Sequence, residues 1–265
     1  MTNFKIFLTA KDPTVDYDYS FECGVADNKF HFDHHKVEHH YPAPCNNTAI
    51  KYHFLKSDIK IGISHLDADT LLGIERLIND NFQGKFNGID LELIEKIDMN
   101  GSSCLSKEEL SSTTYGYVVG VGILARELKF PRISSEEDID VTNIVTSIFN
   151  TKISEIVEKG IEAERRSVAD TDKATLLKKS NIALIYVREE ANVNPSLPYR
   201  EGIDIVVVFY ERWKKISLYS NPLTKTIVKG NVGGIEFSGH DKACGSPRGE
   251  EFCLEDAIRI YEILK

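Results

Sequence analysis

A chain of 265 residues with 42% hydrophobic and 28% charged residues has the balance of an ordinary globular protein, enough for one large domain or two modest ones. Its formal net charge of -9 argues against a long nucleic-acid duplex as partner, because duplex binding draws on neutralised phosphates. A small phosphorylated ligand stays open, since bound metal ions supply positive charge locally.

Taken in chain order, Phe4–Leu8 reads as a strand closed by Asp12-Pro13. Tyr19–Cys23 and Lys29–Phe32 read as two short strands, with Gly24 and Asp27-Asn28 in the turn between them. Asn46-Asn47-Thr48 offers helix caps, and a helix is expected through Ala49, Ile50, Tyr52, His53 and Phe54. Ile59–Ser64 has β-branched residues at alternate places and predicts a strand. Thr70–Phe82 then predicts a helix, with Leu71, Leu72, Ile74, Leu77 and Ile78 on one face. Asp90–Asp98 and Tyr115–Leu128 predict two more helices. Glu136–Lys179 reads as charged and helical with no strand. After Ser180 the texture changes: Asn181–Val187, Ile203–Tyr210 and Lys214–Tyr219 are strand-like, and the almost wholly apolar middle one suits a strand covered on both faces. Glu211–Lys214 suits a hairpin turn. A glycine-rich segment follows, and Leu254–Leu264 closes the chain as a helix.

The five cysteines, Cys23, Cys45, Cys104, Cys244 and Cys253, are scattered and contain no C-x-x-C pair. A reducing compartment is expected, with neither a disulfide framework nor a cysteine zinc site. The apolar run at Met1–Lys11 is too short for a signal peptide, and no stretch approaches a membrane span, so a cytoplasmic location without membrane association is expected.

Two constellations carry chemistry. Ser64-His-Leu-Asp-Ala-Asp-Thr70 stands where an apolar strand meets a helix, the edge at which open α/β sheets bind ligands. In an extended segment His65, Asp67 and Asp69 would share one face, and an imidazole with two carboxylates suits Mn²⁺ or Mg²⁺. The bland reading is that Asp69 or Thr70 caps the helix while His65 packs. Phe30-His-Phe-Asp-His-His35 also follows a short strand, with His39 and His40 beyond it. Read alone, it is either a histidine-rich surface loop or a zinc site drawn from His31, His34, His35, His39 and His40.

Asp33-His34-His35 resembles the signature triplet of the DHH phosphoesterase superfamily, which includes RecJ-type exonucleases, nanoRNases, cyclic dinucleotide phosphodiesterases and one class of inorganic pyrophosphatase. His65-Leu-Asp67-Ala-Asp69 is similar to that family's H-x-D-x-D motif. Ser238-Gly239-His240-Asp241-Lys242-Ala243-Cys244-Gly245 resembles the G-G-H-x-x-A-x-G motif of the domain that commonly follows. The motif order is reversed here relative to most of the family. If each motif ends a parallel strand, moving one βα unit changes the connections and leaves the constellation.

The resemblance implies an α/β fold: a mainly parallel sheet flanked by helices over residues 1–150, a helical connector at 151–179, and a smaller α/β substrate-binding domain at 180–265. It implies two divalent ions, Mn²⁺ foremost with Mg²⁺ or Co²⁺ as substitutes, held by Glu22, His34, His65, Asp67, Asp69 and Asp98. Glu22 stands where the family has a shorter aspartate, and Asp27 is the other candidate for that role. Asp98 has a competing reading as part of a helix-ending turn with Asn100-Gly101. The resemblance further implies that Asp33 orients an imidazole, that His35 touches the phosphate or protonates the leaving oxygen, and that Gly239, His240, Gly245 and Arg248 bind substrate. The implied reaction is hydrolysis of phosphate esters in nucleotides or short single-stranded oligonucleotides, with a homodimer as a candidate assembly. The competing functions are a nucleotide-binding relative without turnover and an unrelated zinc protein built on the histidine cluster.

Overall fold

The structure is a computed structural model that describes all residues except 1–2, 11–12, 25, 35–40, 53–56, 132–136, 189–192, 225, 241 and 248, and no side chain of Pro13, Ser103 or His240. The chain is α/β, with mixed helices and two sheets. It gathers into two compact units, one of residues 1–99 and 106–163, the other of residues 100–105 and 164–265.

In the first unit, strands β1 (Asn3–Leu8), β2 (Tyr19–Phe21), β3 (His31–Phe32), β4 (Asp58–Ile63) and β5 (Ile139–Asp140) form a sheet in the order β3-β2-β4-β1-β5. Every pairing is parallel except β1 with β5. The β-branched run explains β4: Ile59, Ile61 and Ile63 are all buried. Phe21 and Phe32, the last residues of adjacent strands, stack at 5.4 Å. Around the sheet lie α1 (Pro13–Asp16), α2 (Ala68–Ile78), α3 (Phe82–Lys85), α4 (Leu91–Asn100), α5 (Lys107–Leu110), α6 (Thr113–Glu127), α7 (Thr142–Asn150) and the start of α8 (Ile153–Ala174). Helix α2 buries Leu71, Leu72, Ile74 and Leu77 against the core, as its period predicts. Helices α6 and α8 meet at glycines: a Cβ on Gly120 would collide with the Ile156 carbonyl, and one on Gly160 with the Gly116 carbonyl.

In the second unit, β6 (Thr175–Lys179), β7 (Ile182–Val187), β8 (Ile205–Tyr210), β9 (Lys215–Ser220), β10 (Gly230–Val232), β11 (Ile235–His240) and β12 (Ala243–Gly245) form a sheet in the order β10-β11-β12-β9-β8-β7-β6. Among these pairings only β7–β8 is parallel. Ile182, Leu184, Val207, Phe209 and Leu218 face one cluster, shared with α9 (Leu254–Leu264), whereas Ala183, Ile185, Val206 and Val208 face another with Tyr199 and Ile203. The apolar run of β8 is thus buried on both faces, as its composition requires.

Several sequence expectations need correction. Residues 46–52 form turns and irregular backbone, not a helix, and His53 and Phe54 lie outside the described residues: the Asn47 side chain accepts the Ala49 N–H at 3.0 Å, closing a local turn. The stretch expected to lack strands holds β5 and β6, because tertiary pairing with β1 and β7 overrides its charged composition. The predicted helix 70–82 breaks at Ile78, where Asn79 and Asn81 intervene before α3. The glycine-rich segment is strand: Val232 pairs with Ile235 around Gly233 and Gly234, whose φ of 60° and 86° meet the demand of a two-residue hairpin turn. Among the described residues, no helix is long and apolar enough to cross a membrane.

Candidate metal centre

The sheet itself gathers the site. Phe21 is in register with Phe32 on one side and Ile63 on the other, and all three strands are parallel. The residues that follow, Glu22, Asp33 and Ser64, therefore leave the sheet together at its carboxyl edge. The Glu22 N–H donates to the Phe32 carbonyl at 2.8 Å, and the Ser64 hydroxyl donates to the Glu22 carbonyl. Held from both sides, Glu22 adopts a φ of 56°, a left-handed conformation that is costly for a residue with a Cβ. Its side chain is buried.

Asp27 is engaged in its own turn: its Oδ1 accepts the backbone N–H groups of Lys29, Phe30 and His31 at 2.9, 2.8 and 2.9 Å, ahead of β3.

Glu22, His34 and Asp69, all buried, each bring one ligand atom within 4.8 Å of the others. His34 Nε2 lies 2.7 Å from Asp98 Oδ2, which brings the end of α4 to the cluster. Asp33 is buried too, close enough for its charge to act on Glu22 and His34. Asp69 lies in the first turn of α2, not on an extended segment as the alternate spacing suggested. The helix cap is Asp67: its Oδ1 accepts the Thr70 N–H at 2.8 Å, while Oδ2 meets His65 Nε2 at 3.2 Å. The Ser64 hydroxyl meets the other nitrogen of that ring, Nδ1, at 2.8 Å, fixing the imidazole on both edges. His65 is half-exposed at 46% and Asp67 at 35%. Among the histidines of the alternative zinc reading, His31 pairs its Nδ1 with the buried Ser20 hydroxyl at 2.9 Å. His35, His39 and His40 lie outside the described residues, as does Arg248.

The electrostatics of this edge favour a cation. Burial pushes the Glu22 carboxyl up to about 10, reinforced by the charges of Asp69, Asp33, Asp67 and Asp98. Burial also pushes Asp69 up to about 7, with Asp67 adding to it and the Cys45 bonds opposing it. Burial opposes the imidazolium of His34, yet the Asp98 bond and the charges of Asp69, Asp98 and Asp33 prevail and raise its pKa. The bond from Asp67 raises His65. Asp69 Oδ2 is buried without a hydrogen-bond partner among the described residues, while Oδ1 accepts the Cys45 N–H at 2.7 Å. A buried carboxylate oxygen left over, beside a second carboxylate and an imidazole, is a donor set that fits a hard or borderline divalent cation. The three residues can hold one such ion.

Gly239, His240 and Gly245 belong to the second unit. Gly239 pairs with Cys244 and Gly245 with Ser238 across β11–β12, and Gly239 has a φ of 141°. Sequence reasoning missed two contributors: the Cys45 backbone N–H that holds Asp69, hinted at only by the polar turn residues beside it, and the Ser64 hydroxyl that meets His65.

No protein-family model matches the chain, and no curated protein matches it. Among solved structures it is similar to a pGpG-specific phosphodiesterase, PggH, from Vibrio cholerae, at 15% identity and a TM-score of 0.40, over 80% of each chain. It is also similar to an exopolyphosphatase-related protein from Bacteroides fragilis, at 16% identity and a TM-score of 0.31, over 82% of this chain and 64% of that one. An uncharacterized protein from Helicobacter pylori matches at 14% identity and a TM-score of 0.22, over 65% of this chain and 53% of the other. Likenesses of this size assign neither family nor activity.

Proposed function

We propose that the chain is a divalent-metal-dependent phosphoesterase that hydrolyses phosphate esters of nucleotides or short single-stranded oligonucleotides. The observation that carries this reading is the buried Glu22–His34–Asp69 cluster, set among Asp33, Asp67 and Asp98 at the carboxyl edge of parallel strands. The buried carboxyl groups of Glu22, Asp33 and Asp69, with Asp67 and Asp98 partly exposed beside them, are tolerable only if neutralised by protons or by a cation.

In this proposal Glu22, His34 and Asp69 hold one ion, and His65, Asp67 and Asp98 serve a second, with Mn²⁺ the favoured metal. When bound, such ions supply positive charge to a phosphoryl group and lower the pKa of water. The chain's own groups do the rest. Ser64 would hold the His65 ring through Nδ1, its Nε2 parting from Asp67 to serve the ion, and Asp98 orients His34. Asp33 acts from behind as an orienting carboxylate. His35 gives a proton to the leaving oxygen. Gly239, His240, Gly245 and Arg248 bind the remote phosphate, the glycines by admitting an anion close to backbone N–H groups and the arginine by a bidentate grip.

The test is a panel of phosphorylated substrates, including dinucleotides, cyclic dinucleotides and pyrophosphate, assayed with Mn²⁺, Mg²⁺ and Co²⁺. Hydrolysis that needs the metal and disappears in the Asp67→Ala/Asp69→Ala double variant is expected. Full activity in that variant would refute the assignment. Tight nucleotide binding with no product over hours would replace the enzyme with a binding module.

A further inference from the structure

Asp69 does not aim itself. Its Oδ1 accepts the backbone N–H of Cys45 at 2.7 Å, and its Oδ2 is left buried without a hydrogen-bond partner among the described residues, in the cluster with Glu22 and His34. Cys45 lies in a tight turn, in which the Asn46 N–H donates to the Ala43 carbonyl at 2.9 Å and the Asn47 N–H to the Pro44 carbonyl at 3.3 Å. A turn presents a backbone N–H accurately only if it is itself anchored. Here one side chain spans it: Glu95 accepts the Ala43 N–H on Oε1 at 2.9 Å and the Asn46 side-chain amide on Oε2 at 3.0 Å. Both carboxylate oxygens of Glu95 thus grip the turn on either side of Cys45. Arg76 donates to the Cys45 carbonyl at 2.7 Å, its guanidinium lying 4.3 Å from the centre of the Phe82 ring. The turn around Cys45 is therefore held from α4 through Glu95 and from α2 through Arg76. Glu95 precedes Asp98 by three residues on α4, so one helix face carries both the brace and the partner of His34.

We propose that Glu95 is a positioning residue for the metal centre: by bracing the 43–46 turn it keeps the Cys45 N–H on one oxygen of Asp69 and so commits the other oxygen to the ion. The proposal rests on the metal-centre reading above. With the brace removed, the turn keeps the Arg76 anchor, and the Cys45 N–H is held less firmly on Oδ1 of Asp69. Loss of an outer hydrogen-bond partner of this kind typically costs about 10–100-fold in metal affinity.

The experiment measures Mn²⁺ affinity by titration calorimetry and electron paramagnetic resonance, alongside the melting temperature of each chelated protein. Glu95→Ala should bind Mn²⁺ about 10–100-fold more weakly than the wild type. Glu95→Gln, whose carbonyl accepts from Ala43 and whose amide donates to a turned-over Asn46 side chain, should keep wild-type affinity. Asn46→Ala removes one of the two grips and should weaken binding. Should Glu95→Ala fail to fold, Asn46→Ala carries the test. Wild-type protein that binds no Mn²⁺ overturns the metal centre and this proposal together. Wild-type binding with unchanged affinity in a folded Glu95→Ala or Asn46→Ala overturns the positioning role alone, as does a lowered melting temperature without a change in affinity.

Discussion

Glu22→Gln should make the chelated protein more stable, and increasingly so as pH rises. Glu22 is buried beside four aspartates, and its carboxyl is pushed up to about 10 from an ordinary value of 4.5. A group whose folded pKa is raised contributes stability that is fully present below the unfolded pKa and is lost as pH climbs toward the folded one. Between 4.5 and neutral pH the unfolded chain gives up this proton while the folded chain keeps it, and each pH step costs about 1.4 kcal/mol, about 3 kcal/mol by pH 7. Glutamine resembles the protonated carboxyl and has no proton to lose, so the variant escapes that penalty. At pH 5 the two proteins should differ by less than about 1 kcal/mol; at pH 7 the variant should melt roughly 5–10 °C higher. Thermal melts in chelator from pH 5 to pH 9 read this directly. Adding Mn²⁺ should reverse the order, because an ion that binds only the folded wild type stabilises it by mass action. A variant that melts below the wild type at pH 8 in chelator, or a difference that ignores pH, would show that Glu22 carries no such burden.

Other substitutions separate structural from chemical roles. Asp67→Asn keeps a good N-cap for Thr70 and should leave the melting temperature nearly unchanged, whereas Asp67→Ala should cost about 1 kcal/mol; both should lose metal-dependent hydrolysis, and a destabilised asparagine variant would count against the cap. Gly120→Ala should destabilise by about 1–3 kcal/mol in urea unfolding, because its methyl meets the Ile156 carbonyl, while Gly122→Ala, with open space around it, should be neutral or stabilising; equal behaviour of the two would rule out the close helix crossing. Asp27→Ala should cost about 1–3 kcal/mol by leaving three backbone N–H groups without their shared acceptor, with Asn recovering part of the loss; no change in the melt would mean that the turn closes without it.

What could be read from the residues alone follows the reach of the interaction involved. Strands β1, β4, β7 and β8 and helices α2, α6 and α9 were legible because apolar periodicity is a local pattern with a global consequence. Strands β5 and β6 were not: Ile139–Asp140 and Thr175–Lys179 are exposed or half-exposed, and they are strands only because β1 and β7 offer an edge. The stretch after Asn46 looked like a capped helix because Asn and Thr cap helices and also close turns, and here the Asn47 side chain closes a turn on the Ala49 N–H. In the site, the alternation His65, Asp67, Asp69 suggested one extended face, but the Asp67 side chain starts the helix one residue later, and Asp69 turns inward with α2 while Asp67 and His65 pair with each other.

The sheet topology shows why the order of the two motifs along the chain does not decide where their residues meet. Strands β2 and β3 precede β4 in the chain, yet β2 lies between β3 and β4 in the sheet, and the three run parallel in register. A parallel strand delivers the residue after its end to the same edge wherever it falls in sequence. Glu22, Asp33 and Ser64 meet there because of spatial neighbourhood, and His34 and Asp69 need only one more residue of loop and the first turn of α2 to reach Glu22. Motif order is thus a property of the crossovers, whereas the donor set is a property of the edge. The lateral supports, Cys45 under Asp69 and Asp98 beside His34, come from a turn and a helix end that no strand pattern announces. Substitutions there should loosen the centre while leaving every recognisable motif intact.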